Sequence, residues 1–384
     1  MKILLVHPHL DFYGGAELVI DKFTSYLKKK NHQCAIVTLS INEDFKKRTA
    51  SVKFFLPQKQ YTFQIRGKSL ISALGLIKEI FILRNLIKKV YKDYDVINVH
   101  NFPTTWAAAG LSKSIVWMCN EPPDLWTNQK PNILLKFIRD LGIKLDIFIV
   151  RNFIKNIVVA DQNNADYFIK RYGIKPSIIN YGIDYQFFSK SKPNKELIKK
   201  YGLNDKFIVI QVGVLTPQKN QLESLKAIKN LRDKINKIKI VLAGNDKTSY
   251  GEKLKNYVSE NKISNNVCFT GQLTQELIKS IYASSNVAVS PIKVQGGWLS
   301  PFEALSVGVP IIVYPTMGAA EIIKKNNLGI VSKNLSESIL TIFKNYNKLD
   351  FNRSLEKSQK WVKDNLTWEK FTEQMLNIFK EGVL

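Results

Sequence analysis

Short apolar runs alternate with helix-period segments along this chain, the alternation stops in a polar stretch, and then it begins again. The first series holds Ile3–Val6, Cys34–Leu39, Val52–Phe55, Val96–His100, Ile115–Cys119, Ile157–Ala160 and Ser177–Asn180, with a long helical pattern from Leu70 to Val90 inside it. The second series holds Phe207–Val212, Ile238–Ala243, Val267–Thr270, Val287–Val289 and Ile311–Val313, with helical patterns at Leu222–Leu231, Glu252–Glu260, Gln275–Ala283 and Pro301–Val307. Strands that alternate with helices must pair in parallel and bury both faces of the sheet. The sequence therefore predicts an α/β chain of two doubly wound Rossmann-like domains. We place them at 1–181 and 182–362, with 363–384 as a C-terminal helix crossing back to the first domain. The length of 384 residues suits two cores rather than one.

Ligands of doubly wound sheets lie beyond the carboxyl ends of the strands. The loops after Val6, His100, Cys119, Val212 and Val289 are therefore where chemistry is expected. The first contains Gly14-Gly15-Ala16-Glu17 ahead of a helix, a pattern that reads equally as a tight turn or as a backbone approach to an anion at a helix N-terminus. No G-x-G-x-x-G is present, which argues against an NAD site. The loop after Val212 runs through Gly213 to Lys219 and Asn220, and puts a lysine where a helix start already carries partial positive charge. The loop after Val289 runs through Gln295-Gly296-Gly297-Trp298-Leu299-Ser300-Pro301-Phe302-Glu303. Proline suits a first helical position, so this helix is expected to start at Pro301 with Glu303 in its first turn. The N–H groups of Leu299 and Ser300 would then meet a diphosphate, and Glu303 would accept two ribose hydroxyls. A surface lysine and a plain capping glutamate are the competing readings of Lys219 and Glu303.

These features resemble, in order, a family 4 glycosyltransferase. The shared set is Gly14-Gly15-Ala16-Glu17, His100-Asn101, Tyr181-Gly182-Ile183-Asp184 with Phe187-Phe188, Val212-Gly213 to Lys219-Asn220, Phe269-Thr270-Gly271, Glu303-Ala304-Leu305 to Gly308-Val309-Pro310, Gly318 with Glu321-Ile322-Ile323, and Gly329. The resemblance implies a GT-B fold, two facing Rossmann-like domains with a donor cleft between them. It also implies retaining transfer of a hexose from a UDP-sugar or GDP-mannose to a saccharide or polyprenyl-linked acceptor, with no obligatory metal. In that frame Lys219, Gln295 and Glu303 are the catalytic candidates. Gly14, Gly15, Gly213, Gly296, Gly297, Trp298, Leu299 and Ser300 join Lys219 and Glu303 around the donor, and His100, Asn120 and Glu121 stand on the acceptor side. Three positions depart from the family pattern. Gln295 replaces a glutamate separated from Glu303 by seven residues, Val214 replaces an arginine, and Asn120 replaces a histidine, with Glu121 as a substitute carboxylate or simply part of a turn before Pro122-Pro123. A same-fold nucleotide-sugar epimerase and a non-catalytic sugar or nucleic-acid binder are the alternatives.

The net charge is +25, spread evenly as +13 over residues 1–180 and +12 over 181–384. An even spread argues against a dedicated basic tail, and no zinc finger, RNP-type motif or helix-turn-helix marks specific nucleic-acid binding. The basic amphipathic segment Lys68–Lys92 is read as core packing, alone or combined with contact to an anionic membrane surface. Cys34, Cys119 and Cys268 are scattered without CxxC spacing. The expected location is the cytoplasm, with peripheral contact at the inner face of the cell membrane.

Overall fold

A computed structural model describes the chain except residues 12–13, 50, 62–69, 112–113, 121–132, 294–295 and 384. Gln295 and Glu121 therefore lie outside the described residues. The chain forms two compact units, Met1–Asn180 with Trp368–Leu384, and Tyr181–Thr367.

Among the described residues, the first unit holds a parallel seven-stranded sheet made of β1 (Lys2–Val6), β2 (Gln33–Val37), β3 (Lys53–Phe55), β4 (Val96–His100), β5 (Ile115–Met118), β6 (Asn156–Val159) and β7 (Ser177–Ile178). Their order is β3-β2-β1-β4-β5-β6-β7. The central strand β1 pairs with β2 through Leu5 opposite Ile36 and with β4 through Leu5 opposite Asn98. Strand order reverses at β1/β4, which makes that sheet end a natural place for a ligand. Helix Trp368–Val383 closes the unit: Phe371 and Phe379 pack on Phe23 of helix Gly15–Lys29 at 5.4 and 6.1 Å, and Lys30 Nζ reaches Glu373 at 2.7 Å.

The second unit holds a parallel six-stranded sheet of β8 (Phe207–Val212), β9 (Ile238–Ala243), β10 (Val267–Gly271), β11 (Val287–Ser290), β12 (Ile311–Val313) and β13 (Ile330–Val331), in the order β10-β9-β8-β11-β12-β13. Its reversal falls at β8/β11. The two loops singled out by sequence, after Val212 and after Val289, leave neighbouring strands at this point. Helix Leu349–Asn365 belongs to this unit, where Gln359 Nε2 donates to Ser306 O at 3.3 Å.

In the first unit, helices Leu70–Val90, Thr104–Ala108 and Ile133–Phe153 contribute Leu83, Ile87, Ala107, Ala108 and Val150 to one core. Polar pins fix their rotation. Arg84 Nη1 donates to the carbonyls of Ala107 and Ala109 at 3.1 and 2.8 Å. Asp146, fully buried, accepts from Trp106 Nε1 at 2.9 Å, Arg171 Nη2 at 2.9 Å and Tyr172 Oη at 2.6 Å. Three donors satisfy the carboxylate, which is why the charge tolerates burial. Removing it strands the Arg171 guanidinium, so Asp146→Ala is expected to lower stability by about 3–5 kcal/mol in urea denaturation. A loss below about 1 kcal/mol would show that the pin is dispensable.

Candidate functional site

Strand β8 is buried through Gln211, a polar residue in an otherwise apolar run. Its side chain organises the following loop: Gln211 Nε2 donates to Lys219 O, and Gln211 Oε1 accepts from Ser224 Oγ, both at 2.7 Å. At the strand end Gly213 adopts φ +142°, a conformation that excludes most side chains. A Cβ at Gly244, just past β9, would overlap the Gly213 carbonyl, so these two strand ends meet backbone to backbone.

Two hydrogen bonds stitch this loop to the one after β11. Asn220, held at φ +56°, donates from Nδ2 to Pro291 O at 3.0 Å, and the Lys293 N–H donates to Gln218 O at 3.2 Å. Lys219 lies between the stitches. Its stem passes over Gly213, within 3.7–3.9 Å of where a Cβ would stand. Its Nζ ends beside Gly297, 3.0 Å from the corresponding point there. Gly297 has φ +73° and Gly296 φ +107°, and a side chain at Gly297 would also overlap Ile292. The glycine pair thus leaves a bare backbone surface under the ammonium.

Helix Leu299–Val307 begins immediately afterwards. It starts two residues before the expected Pro301, which corrects the sequence expectation. Proline is tolerated at this third position because the first four N–H groups of a helix have no intrahelical partner. Trp298 supplies no side-chain cap, so the N–H groups of Leu299 and Ser300 are offered outward. Trp298 itself is buried, 5.5 Å from Tyr181 and 4.6 Å from Phe302 by ring centroids. Glu303 consequently sits in the second helical turn rather than the first. It is half-buried, no described side chain donates to it, and burial pushes its carboxyl up to about 7. Val214, at the position where the family commonly has arginine, is largely exposed at 48%. Lys219 therefore brings its charge without a cation at that neighbouring position. An ammonium, a bare glycine backbone and a helix start in one place have the chemistry to receive an anion, and Glu303 follows in the second turn of the same helix.

In the first unit the strand ends carry a neutral polar cluster. Asn120 Nδ2 donates to Asn101 Oδ1 at 2.7 Å, and Asn101 Nδ2 donates to His7 Nε2 at 3.1 Å. His100 Nε2 donates to Asn98 Oδ1 at 2.8 Å. Burial lowers His7 to about 4 and takes His100 well below the ordinary histidine value, so both rings are uncharged at neutral pH. Gly15 opens helix Gly15–Lys29, and the Gly14 N–H donates to Glu17 Oε2 at 3.1 Å. That carboxylate, whose pKa burial raises, occupies the helix start where the sequence suggested a ligand anion. Sequence reading missed Gln211, Gly244, Asn98 and His7. A glutamine in mid-strand and a glycine directly after Ala243 were signals within reach. Among the described residues no group of three His, Cys, Asp or Glu side chains is arranged to hold a metal ion.

Residues 193–364 match the model of the glycosyl transferases group 1, and residues 13–187 that of glycosyltransferase family 4. The chain is a family 4 glycosyltransferase of the GT-B type. A GDP-mannose-dependent α-(1-6)-phosphatidylinositol monomannoside mannosyltransferase of Mycobacterium tuberculosis is 26% identical over 143 residues, covering 35% of this chain and 37% of that protein. The chain therefore spans well under two thirds of that relative. An uncharacterised glycosyltransferase of Methanocaldococcus jannaschii is 24% identical over 98% of this chain and 96% of its own length. The solved structure of HepE from Anabaena, in complex with UDP and glucose, superposes with a TM-score of 0.78 at 16% identity, covering 99% of this chain and 100% of the other. At that identity the likeness establishes the fold.

The Glu303 carboxyl gives this family 4 glycosyltransferase a pH signature. Its folded value of about 7 lies above the ordinary 4.5, so the group favours folding fully only below 4.5, and that contribution is lost as pH rises through 7. Glu303→Gln removes the cost. Its melting temperature is expected to match the parent near pH 4.5 and to exceed it increasingly up to pH 8 by scanning fluorimetry, the gain staying under about 3 kcal/mol. A parallel pair of curves would contradict this.

Proposed function

We propose that this glycosyltransferase moves a hexose from a nucleoside-diphosphate sugar to a saccharide or lipid-linked saccharide acceptor in glycan synthesis, with retention at the anomeric carbon. The observation that carries the reading is the Lys219 ammonium standing beside Gly297 at the start of helix Leu299–Val307. In the reaction the bond between the anomeric carbon and the diphosphate breaks and negative charge grows on the leaving oxygens. Lys219 neutralises that charge, and the N–H groups of Leu299 and Ser300 receive the phosphate oxygens. Gly213, Gly296 and Gly297 let the diphosphate approach the backbone, and Glu303 accepts the two ribose hydroxyls. Gln295 and Trp298 belong to the sugar end of the site. An amide at Gln295 accepts and donates hydrogen bonds to sugar hydroxyls without adding negative charge to an oxocarbenium-like centre.

His100, Asn120 and Glu121 border the acceptor in this reading, and Gly14 and Gly15 stand on the donor side. The neutral histidines and the Asn101–Asn120 pair suit an acceptor that presents hydroxyls. A lipid-linked acceptor is supported by the relative whose name specifies a phosphatidylinositol mannoside. Cytoplasmic placement is supported by three scattered cysteines, none of them in a disulfide. Both UDP-sugars and GDP-mannose remain candidate donors, since one similar protein is named for GDP-mannose and a solved neighbour holds UDP and glucose.

A thermal-shift panel of UDP, GDP and their sugars identifies the donor, because a ligand at 100 times its Kd stabilises by about 2.7 kcal/mol. With that donor, Lys219→Ala is expected to lower turnover roughly 100–1,000-fold, and anomeric proton NMR of the product should show retention. Turnover within threefold of the parent would remove Lys219 from this role.

A further inference from the structure

Fourteen large apolar residues are exposed among the described residues, and eight of them lie on helices Leu70–Val90 and Ile133–Phe153 of the first unit. Scattered exposed apolar residues are ordinary, but concentration on two elements is not. On the first helix Leu74, Ile77 and Phe81 recur at three- and four-residue spacing, and on the second Phe137, Leu141, Leu145 and Phe148 do the same across three turns. Phe81 and Phe137 are 64% and 67% exposed.

The pins described above hold these stripes outward. Leu83 and Ile87 of one helix and Val150 of the other are fully buried in the core. Turning either helix to hide its outer stripe would withdraw that core face. It would also break Arg84 from the Ala107 and Ala109 carbonyls, or Asp146 from its three donors. Exposure is therefore built into the fold.

The same outer faces carry exposed Lys78, Lys88, Lys136 and Lys144, and among the described residues none of the exposed ones on either helix is acidic. The two partly covered acids each face a partner, Glu79 with His9 at 3.7 Å and Asp140 with Arg139 at 3.0 Å. We infer that the outward faces of these two helices form a docking surface for an anionic lipid bilayer, the apolar side chains entering the acyl boundary and the lysines meeting headgroup phosphates. Neither helix is long and apolar enough, among the described residues, to cross a membrane, so each lies along the surface. Interleaved lysines disfavour a protein partner, because protein interfaces are depleted of lysine at their cores. A second copy is disfavoured by the repulsion of two cationic faces.

Vesicle flotation tests this without any donor or turnover, so it stands or fails separately from the transfer reading. The full chain is mixed with phosphatidylcholine vesicles, with and without about 30 mol% phosphatidylglycerol, at ~50 and ~500 mM salt. Binding is expected to the anionic vesicles alone and to weaken at high salt. A combined F81S/F137S/F148S variant and a combined K88E/K136E/K144E variant should each partition at least about tenfold less, while their melting temperatures stay near the parent's because the substituted side chains are exposed. The inference is overturned by equal binding to neutral and anionic vesicles, or by variants that bind as the parent does. It is equally overturned if no vesicle binding occurs and sedimentation velocity shows a dimer that the serine variant abolishes.

Discussion

The donation from Asn220 Nδ2 to Pro291 O is the contact on which the candidate site depends. It joins the exit of β8 to the exit of β11, and with the Lys293–Gln218 backbone bond it fixes the backbone on either side of Lys219. The lysine Nζ lies against Gly297 and beside a helix start whose partial charge has the same sign as the lysine. An ammonium in such a position gains nothing from the helix's partial charge. The glycines at 213, 244 and 297 serve the same arrangement, because each keeps side chains out of a space the backbone and the lysine side chain need.

The polar chemistry of the first unit is of another kind. Buried His7 and His100 are kept neutral by desolvation, and their partners are asparagine amides rather than carboxylates. Such a cluster presents directional donors and acceptors without attracting charge. The charged residues of this unit are used instead as pins, Arg84 on backbone carbonyls and Asp146 on three donors, and these decide which helix faces the solvent meets.

Much of this was legible in the sequence, because strands buried on both faces leave uninterrupted apolar runs whatever their neighbours are. Strands such as Phe207–Val212 and Val96–His100 lie where those runs placed them. Lys219 and Gly297 could be named from their loops, but their proximity could not, since it is set by Asn220 and Pro291, far apart in the chain. The helix Leu299–Val307 starts earlier than proline suggested, because the missing N–H of proline is harmless anywhere in a first turn. Helix Ile133–Phe153 escaped notice for a physical reason: apolar residues lie on both its core and its solvent sides, so its periodicity is blurred.

The central proposal is that Lys219 and the backbone at Gly297 bind a diphosphate. Calorimetric titration of the preferred nucleoside diphosphate and its monophosphate into the parent protein and a Gly297→Ala variant tests it most directly. The account predicts that the parent binds the diphosphate at least about tenfold more tightly than the monophosphate, and that this preference collapses in the variant, whose methyl group would displace Lys219 Nζ. Equal affinity for the two nucleotides in the parent, or an unchanged preference in the variant, would contradict it.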